Sequence, residues 1–96
     1  MRLGIPIKGD FISSSKEAEK FIRINLKNGK ISSIDEFENR DDLVGKVDFF
    51  ITPKEEYIFD FLNMGAEPLI TPISQMNIDD IVSAFLFKEL YSYGSI

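Results

Sequence analysis

The length, composition and charge of the chain limit the classes of protein to which it can belong. With 96 residues, 44% of them hydrophobic and nine of them Phe, the chain suits one folded domain with a thin core. The same numbers leave little room for two domains and argue against a disordered chain. A net charge of −5 disfavours nucleic acid, and the lack of Cys and His removes disulfides and the usual ligands of zinc and iron–sulfur sites.

Neither a targeting segment nor a membrane span is indicated. The segment from Met1 to Pro6 is too short and too interrupted for a signal peptide, and no apolar run approaches the roughly 18 residues that span a bilayer. The basic residues are scattered rather than grouped in a stripe. We therefore expect a cytoplasmic protein with no nucleic-acid or membrane partner, no metal site and no cofactor.

The first part of the chain, residues 1–38, predicts an antiparallel strand meander. Alternating apolar residues predict strands over residues 2–7, 20–27 and 30–37. Residues 11–18 are expected to form a loop or a short turn of helix. Asn28-Gly29 favours a tight hairpin because both residues accept positive φ. The alternation slips near Ser32-Ser33, which indicates a bulge or an edge position.

The second part, residues 47–90, predicts a β-α-β-α arrangement. Buried strands are predicted over residues 47–51 and 67–71. Between them, Thr52-Pro53-Lys54-Glu55 has the pattern of a helix start, with Thr52 as N-cap, and Gly65 fits the position just past the helix end.

A second helix and a tail complete the prediction. Asn77 is expected to cap a helix over residues 78–90, whose apolar residues recur with a period of 3.6. Residues 39–46 can hold one helical turn at most, and residues 91–96 are expected to be a flexible tail. Together, these predicted strands and helices indicate a single α/β domain in which an antiparallel meander precedes a right-handed βαβ unit. Two main helices would pack against a mixed five-stranded sheet.

Several segments have counterparts in one known family. The segment Leu3 to Asp10, the strand–Asn-Gly-Lys–strand segment of residues 21–37, Val47 to Ile51 and Met64 to Glu67 resemble the dinitrogenase iron-molybdenum cofactor biosynthesis family. The resemblance covers most of residues 1–90. It implies a divergent member with a ribonuclease H-like fold of strand order 3-2-1-4-5. It also implies a non-catalytic domain that carries a small ligand or metallocofactor.

Three segments depart from the pattern of that family. Members often have a His-Phe-Gly-Arg-like segment before the second strand, where this chain has residues 15–21 and no His. Members often have a Gly-rich loop and a full helix before the fourth strand, where this chain has only residues 39–46. Thr52-Pro53-Lys54-Glu55 replaces a glycine-rich turn. The first departure argues against cluster binding.

A ligand site is expected at the carboxyl ends of the parallel strands, where open α/β sheets bind ligands. This rule selects Gly9, Asp10, Thr52, Thr71 and Gln75 for a small anionic ligand. A simple cap is the more frequent role of a residue such as Thr52, and Lys8, Lys16 and Lys20 nearby are expected to be solvated. Asp10 and Asp48 are too few carboxylates for a two-metal hydrolase, so we expect no catalytic residues and no enzyme activity.

The short segment of residues 39–46 suggests an alternative function. A helix missing there should leave one sheet face uncovered, with Phe37, Phe49 and Phe50 lining it. Large exposed apolar patches usually mark interfaces. The alternative is therefore a structural or interaction module that homodimerises, or binds a protein partner, through this face.

Overall fold

The structure is a computed structural model of the chain, and it describes residues 1–57, 61, 63–71 and 76–93. Within these residues seven strands form one mixed sheet. Their bounds are β1 Arg2–Lys8, β2 Phe11–Ile12, β3 Lys20–Lys27, β4 Lys30–Phe37, β5 Phe49–Thr52, β6 Glu67–Ile70 and β7 Tyr91–Ser92. A 3₁₀-helix spans Arg40–Leu43 and an α-helix, α1, spans Ile78–Leu86. No helix within the described part of the chain is long and apolar enough to cross a membrane.

The sheet has the order β4-β3-β1-β5-β6-β7, and β2 pairs with β1 outside this path. The pairs β1–β5 and β5–β6 are parallel, and the other pairs are antiparallel. The predicted five-stranded sheet with two main helices is wrong, because two further strands extend the sheet and α1 is the one α-helix with defined bounds among the described residues. The ribonuclease H-like fold with order 3-2-1-4-5 is not supported by this sheet.

The two strands that the sequence did not predict are very short. In β2, Ile7 pairs with Ile12, because Gly9 at φ +62° lets the chain turn back tightly onto β1. In β7, Tyr91 pairs with Ile70, so the segment predicted as a flexible tail begins with a strand. A strand of two residues cannot show the apolar alternation by which strands are recognised in a sequence.

The predicted hairpin between β3 and β4 is confirmed. Asn28 and Gly29 both have positive φ, at 55° and 75°, as a tight two-residue turn requires. The predicted irregularity is also confirmed, because the register shifts between Asn25 and Leu26, which leaves Ser32 as an extra residue in β4.

The helix predicted to begin at Thr52-Pro53 does not begin there. Thr52 ends β5, and residues 53–57 form a bend followed by irregular chain. The Thr52 hydroxyl donates to the carbonyl oxygen of Lys54 (2.8 Å) instead of accepting a hydrogen bond from a helix N–H. Phe61 is helical, and residues 58–60 and 62 lie outside the described residues.

The cap predicted for the last helix is confirmed. The side chain of Asn77 accepts a hydrogen bond from the backbone N–H of Asp80 (2.9 Å). The helix ends at Leu86 rather than at residue 90, because Lys88 takes the left-handed conformation with φ 57°. Helix α1 buries Ile81, Val82 and Ala84 against the sheet.

The core lies on both faces of the sheet. On one face, α1 packs with the alternate residues Leu3, Ile5 and Ile7 of β1. On the other face, which we call the link face, a second cluster contains Phe21, Leu43, Val47, Phe50, Phe61 and Met64. The 3₁₀-helix therefore contributes Leu43 to the core from the short segment before β5.

Candidate functional site

Two of the residues predicted to bind a ligand are fully buried neighbours. Thr52 and Thr71 are both 0% exposed, and the Thr71 N–H donates to the Thr52 carbonyl oxygen (3.0 Å). The Thr52 hydroxyl also shares a hydrogen bond of 2.5 Å with the Tyr93 hydroxyl. The Thr71 hydroxyl donates to the sulfur of Met76. Both hydroxyls thus join parts of the core and are not accessible to a ligand.

Two further predicted residues lie on an exposed turn. The Gly9 N–H donates to a carboxylate oxygen of Glu19 (2.6 Å), so this amide already has a partner. Asp10 lines a separate cavity of about 430 Å³ together with Lys20 and Asn77. Gln75, the last of the predicted set, lies outside the described residues. Among the others, the described geometry brings Thr52 and Thr71 together but does not place Gly9 and Asp10 with them.

The three Phe residues predicted to line an uncovered face have different environments. Phe50 is fully buried, and Phe49 packs edge-on against Phe85 with ring centroids 5.0 Å apart. Phe37 is half-buried, and the ammonium of Lys46 lies 5.1 Å from its ring centroid. The expectation that these residues line one bare face is wrong, because Phe49 packs on the side of α1 whereas Phe50 is buried with Leu43 and Phe61 on the link face. The homodimer itself stays a prediction.

A polar cavity of about 620 Å³ opens on the link face. The segment after β2, the 3₁₀-helix and the segment after β5 enclose it. Its lining residues are Ser14, Ser15, Lys16, Phe21, Asn39, Arg40, Asp41, Lys54 and Glu56. We call this cavity the basic cleft, since it has three cationic side chains and two carboxylates. It lies near the carboxyl ends of the parallel strands β1 and β5, where ligands bind in open α/β sheets.

Two of the three cations of the basic cleft have no carboxylate partner among the residues that the structure describes. Lys16 and Lys54 are exposed, and no carboxylate of the described residues lies within ion-pair distance of either ammonium. The third cation, Arg40, lies 3.8 Å from an oxygen of Glu56, and its guanidinium is 5.8 Å from the ring centroid of Phe61. The two lysines therefore give the cleft positive charge that the described protein groups leave unneutralised.

Glu56 is the most enclosed charged group of the cleft, with its side chain 13% exposed. One carboxylate oxygen accepts the Ser15 N–H (2.7 Å), and the other accepts the Ser15 hydroxyl (2.5 Å) and faces Arg40. Its backbone N–H donates to the Tyr93 hydroxyl (3.3 Å). A carboxylate with so little solvent is stable there because several donors replace its water.

The clear pKa shifts near the sheet ends have structural causes. Burial raises the pKa of Tyr93, and its hydrogen bond with Thr52 opposes that shift only in part. At the opposite end of β5, a hydrogen bond from the side chain of Arg2 lowers the pKa of Asp48. Tyr93 therefore stays protonated at neutral pH, and Asp48 stays ionised and joins β5 to β1.

The donor set does not fit a resident metal cluster. The sequence contains no Cys and no His, and the described residues contain no group of three acidic side chains that could hold a metal ion. In the basic cleft the carboxylate of Glu56 is already bound by Ser15 and Arg40. Iron–sulfur and iron–molybdenum clusters need thiolate or imidazole ligands, which this chain cannot supply.

Comparison with known proteins identifies the fold. No protein-family model and no curated protein matches the sequence. The solution structure of a Methanococcus jannaschii protein, provisionally described as a dinitrogenase, matches over 100% of this chain and 95% of that chain, with 17% identity and a TM-score of 0.78. A crystal structure of a protein with the same description from Methanocaldococcus jannaschii matches over 98% and 95%, with 17% identity and a TM-score of 0.78.

A third solved structure has a related description. A Thermotoga protein, provisionally described as a NifB protein of the DUF35 family, matches over 99% of this chain and 95% of that chain, with 17% identity and a TM-score of 0.73. At this identity the likeness concerns the fold alone. The chain therefore has an α/β fold that it shares with proteins whose names refer to nitrogenase.

The rule applied to the sequence selected the end of the sheet near which the basic cleft opens, but none of the five residues it named lines the cleft. Lys16 was expected to be solvated, and Arg40, Lys54 and Glu56 had no assigned binding role. These residues belong to three separate segments, and none has a local motif that indicates a ligand. The contact between Ser15 and Glu56 joins residues 41 positions apart, which no local pattern could indicate.

Proposed function

We propose that this protein is a non-catalytic binding domain that holds a small anionic ligand in the basic cleft. The observation that carries the proposal is that two ammonium groups, those of Lys16 and Lys54, line one cavity without an ion pair to any described residue, in a chain whose net charge is −5. Because the chain has 16 acidic and 11 basic residues, most of its surface charge is negative and repels anions. A local excess of positive charge in a recessed site attracts them and strengthens their contacts.

The size and polarity of the cleft support a small ligand. A volume of about 620 Å³ falls within the range of roughly 300–1,000 Å³ that small-molecule sites occupy. The side chains of Ser14 and Asn39 line the same cavity and have hydrogen-bond donors for the oxygens of an anion. Phe21 supplies one apolar wall.

A carrier role is favoured over catalysis. The chain has no His, and the Ser15 hydroxyl donates to the carboxylate of Glu56, which is a weak base for activating a hydroxyl. The fold shared with proteins named for dinitrogenase and NifB supports a role related to nitrogenase cofactor biosynthesis.

Calorimetric titration with orthophosphate and with molybdate tests the proposal. We expect wild-type protein to bind, and Lys16→Gln and Lys54→Gln each to weaken binding by about tenfold, because each removes a charge-assisted contact worth about 1.5 kcal/mol. Lys30→Gln is the matched control, since it removes the same charge from an exposed residue of β4 that does not line the cleft. An equal loss in all three variants, or no binding by the wild type, would contradict the proposal.

A further inference from the structure

Ser15 and Arg40 form a receptor for one oxyanion group. The N–H and the hydroxyl of Ser15 donate to different oxygens of a single carboxylate, at 2.7 and 2.5 Å, and the Arg40 guanidinium lies 3.8 Å from one of them. Two hydrogen-bond donors and a cation around one planar group are the elements with which proteins bind carboxylates and phosphates. In this structure the group that fills the receptor is the side chain of Glu56.

The carboxylate of Glu56 leaves much of the basic cleft unused. It has no ion pair with Lys16 or Lys54, although all these residues line the same cavity. A ligand with two negative charges, in contrast, can place one group in the receptor and satisfy the lysines with the other charge. Such a ligand gains contacts that Glu56 cannot make.

The segment that carries Glu56 is suited to release it. Residues 53–57 belong to no helix or strand, so the backbone there has no ladder of hydrogen bonds to break when the side chain moves. The separation of 3.8 Å between Glu56 and Arg40 is longer than a hydrogen bond. Ser15 therefore makes the hydrogen bonds that hold the Glu56 carboxylate in the receptor.

We propose that Glu56 is an internal competitor that closes the Ser15–Arg40 receptor, and that a small dianion opens the cleft by displacing the Glu56 carboxylate. The ligand class is a small molecule with two negative charges, such as a phosphate or a dicarboxylate. This inference rests on the proposed function, because it concerns the same cleft. It adds that the wild-type protein binds the dianion more weakly than the Ser15–Arg40 receptor would if Glu56 did not occupy it.

Titration of Glu56→Ala with orthophosphate and with succinate tests the inference. The apparent affinity equals the intrinsic affinity multiplied by the fraction of molecules in which Glu56 has left the receptor. Removal of the Glu56 carboxylate should therefore raise the apparent affinity by about tenfold or more. Glu38→Ala is the matched control, because it removes the same charge from an exposed residue beside Asn39 that makes no contact with Ser15. We expect that control to change affinity less than about twofold, and Arg40→Gln added to Glu56→Ala to abolish the gain.

A second variant covers the case in which Glu56→Ala does not fold. Glu56→Gln keeps an oxygen that can accept from Ser15 but removes the charge, and we expect a gain of about threefold to tenfold. Wild-type binding without a gain in the folded Glu56 variants overturns the inference and leaves the proposed function in place. A gain only in the variants supports the inference and contradicts binding by the wild type. No binding by any of these proteins overturns both proposals.

Discussion

Thr52 and Tyr93 form a hydroxyl pair that connects the end of β5 with the chain after β7. Thr52 is fully buried, and its hydroxyl has both the Lys54 carbonyl oxygen and the Tyr93 hydroxyl as partners. The ring of Tyr93 packs edge-on against Phe61, with centroids 5.7 Å apart. One tyrosine thus joins the core of the link face to the segment that carries Glu56.

We expect Thr52→Val to destabilise the protein by about 1–3 kcal/mol, because it removes the hydrogen bond between the buried Thr52 hydroxyl and the half-buried Tyr93 hydroxyl. Tyr93→Phe should cost a similar amount, and the double variant should cost less than the sum of the two single variants, since both remove the same hydrogen bond. Urea denaturation measures these free energies of unfolding.

Tyr91→Phe is the matched control for this pair. Tyr91 is 46% exposed, so the loss of its hydroxyl should change the free energy of unfolding by no more than about 0.5 kcal/mol. Additive costs in the double variant, or equal costs for the two tyrosines, would show that the pair does not act as described.

The role of Thr52 shows what a local pattern cannot reveal at the residue scale. Thr52, Pro53 and Glu55 have the spacing of a helix start, and the prediction of an N-cap followed from that spacing. The partner that the Thr52 hydroxyl has in the fold, Tyr93, is 41 residues away. Asn77, in contrast, was predicted correctly because both partners of its cap lie in one helical turn.

The 3₁₀-helix Arg40–Leu43 covers part of the link face, beside Phe61 and Met64. Its single buried residue, Leu43, is 0% exposed and packs in one cluster with Val47 and Phe50. So short an element suffices because Gly4 in the underlying strand has no side chain. A Cβ at Gly4 would lie only 3.0 Å from Phe50 and 3.3 Å from Leu43. This agrees with the prediction that residues 39–46 hold one helical turn at most, and the close approach of these side chains lets that turn contribute to the core.

Leu43→Ala should therefore destabilise the protein by about 2–4 kcal/mol, since it leaves a cavity above Phe50 that the rigid sheet cannot close. Val44→Ala is the control, because Val44 is the next residue and is 45% exposed. Its cost should stay below about 1 kcal/mol. Thermal or urea unfolding checks both values, and similar costs for the two variants would contradict the covering role of Leu43.

Whether a strand could be predicted from the sequence depended on the length of the strand and on the residues of the turn beside it. β3 and β4 have eight residues each and are joined by Asn28-Gly29, so alternation and turn type together indicated the hairpin. β2 and β7 have two residues each, and their pairing depends on the strands beside them. The strand of Phe50 was predicted to be buried, but the packing of Leu43 and Gly4 around Phe50 could not be predicted, because these residues are far apart in the sequence.

At the scale of the whole molecule, the fold brings three separate segments together around one cleft. Lys16, Arg40 and Lys54 have no shared motif in the sequence, and they line one cavity only after the strands have paired. The general rule for open α/β sheets indicated the ends of β1 and β5 near which this cleft opens, but it selected Thr52, which is buried. Which side chains line a cleft depends on packing, and packing is a long-range property.

The most direct test of anion binding in the basic cleft is a titration of isotope-labelled protein with orthophosphate, followed by the shifts of the backbone amides. If the anion binds in the basic cleft, the largest shifts fall on residues 14–16, 39–41 and 54–56. We expect these shifts to diminish in Lys16→Gln and Lys54→Gln but not in Lys30→Gln. Largest shifts at Gly9, Asp10 and Asn77, around the separate cavity, would contradict it. So would a spectrum that orthophosphate leaves unchanged.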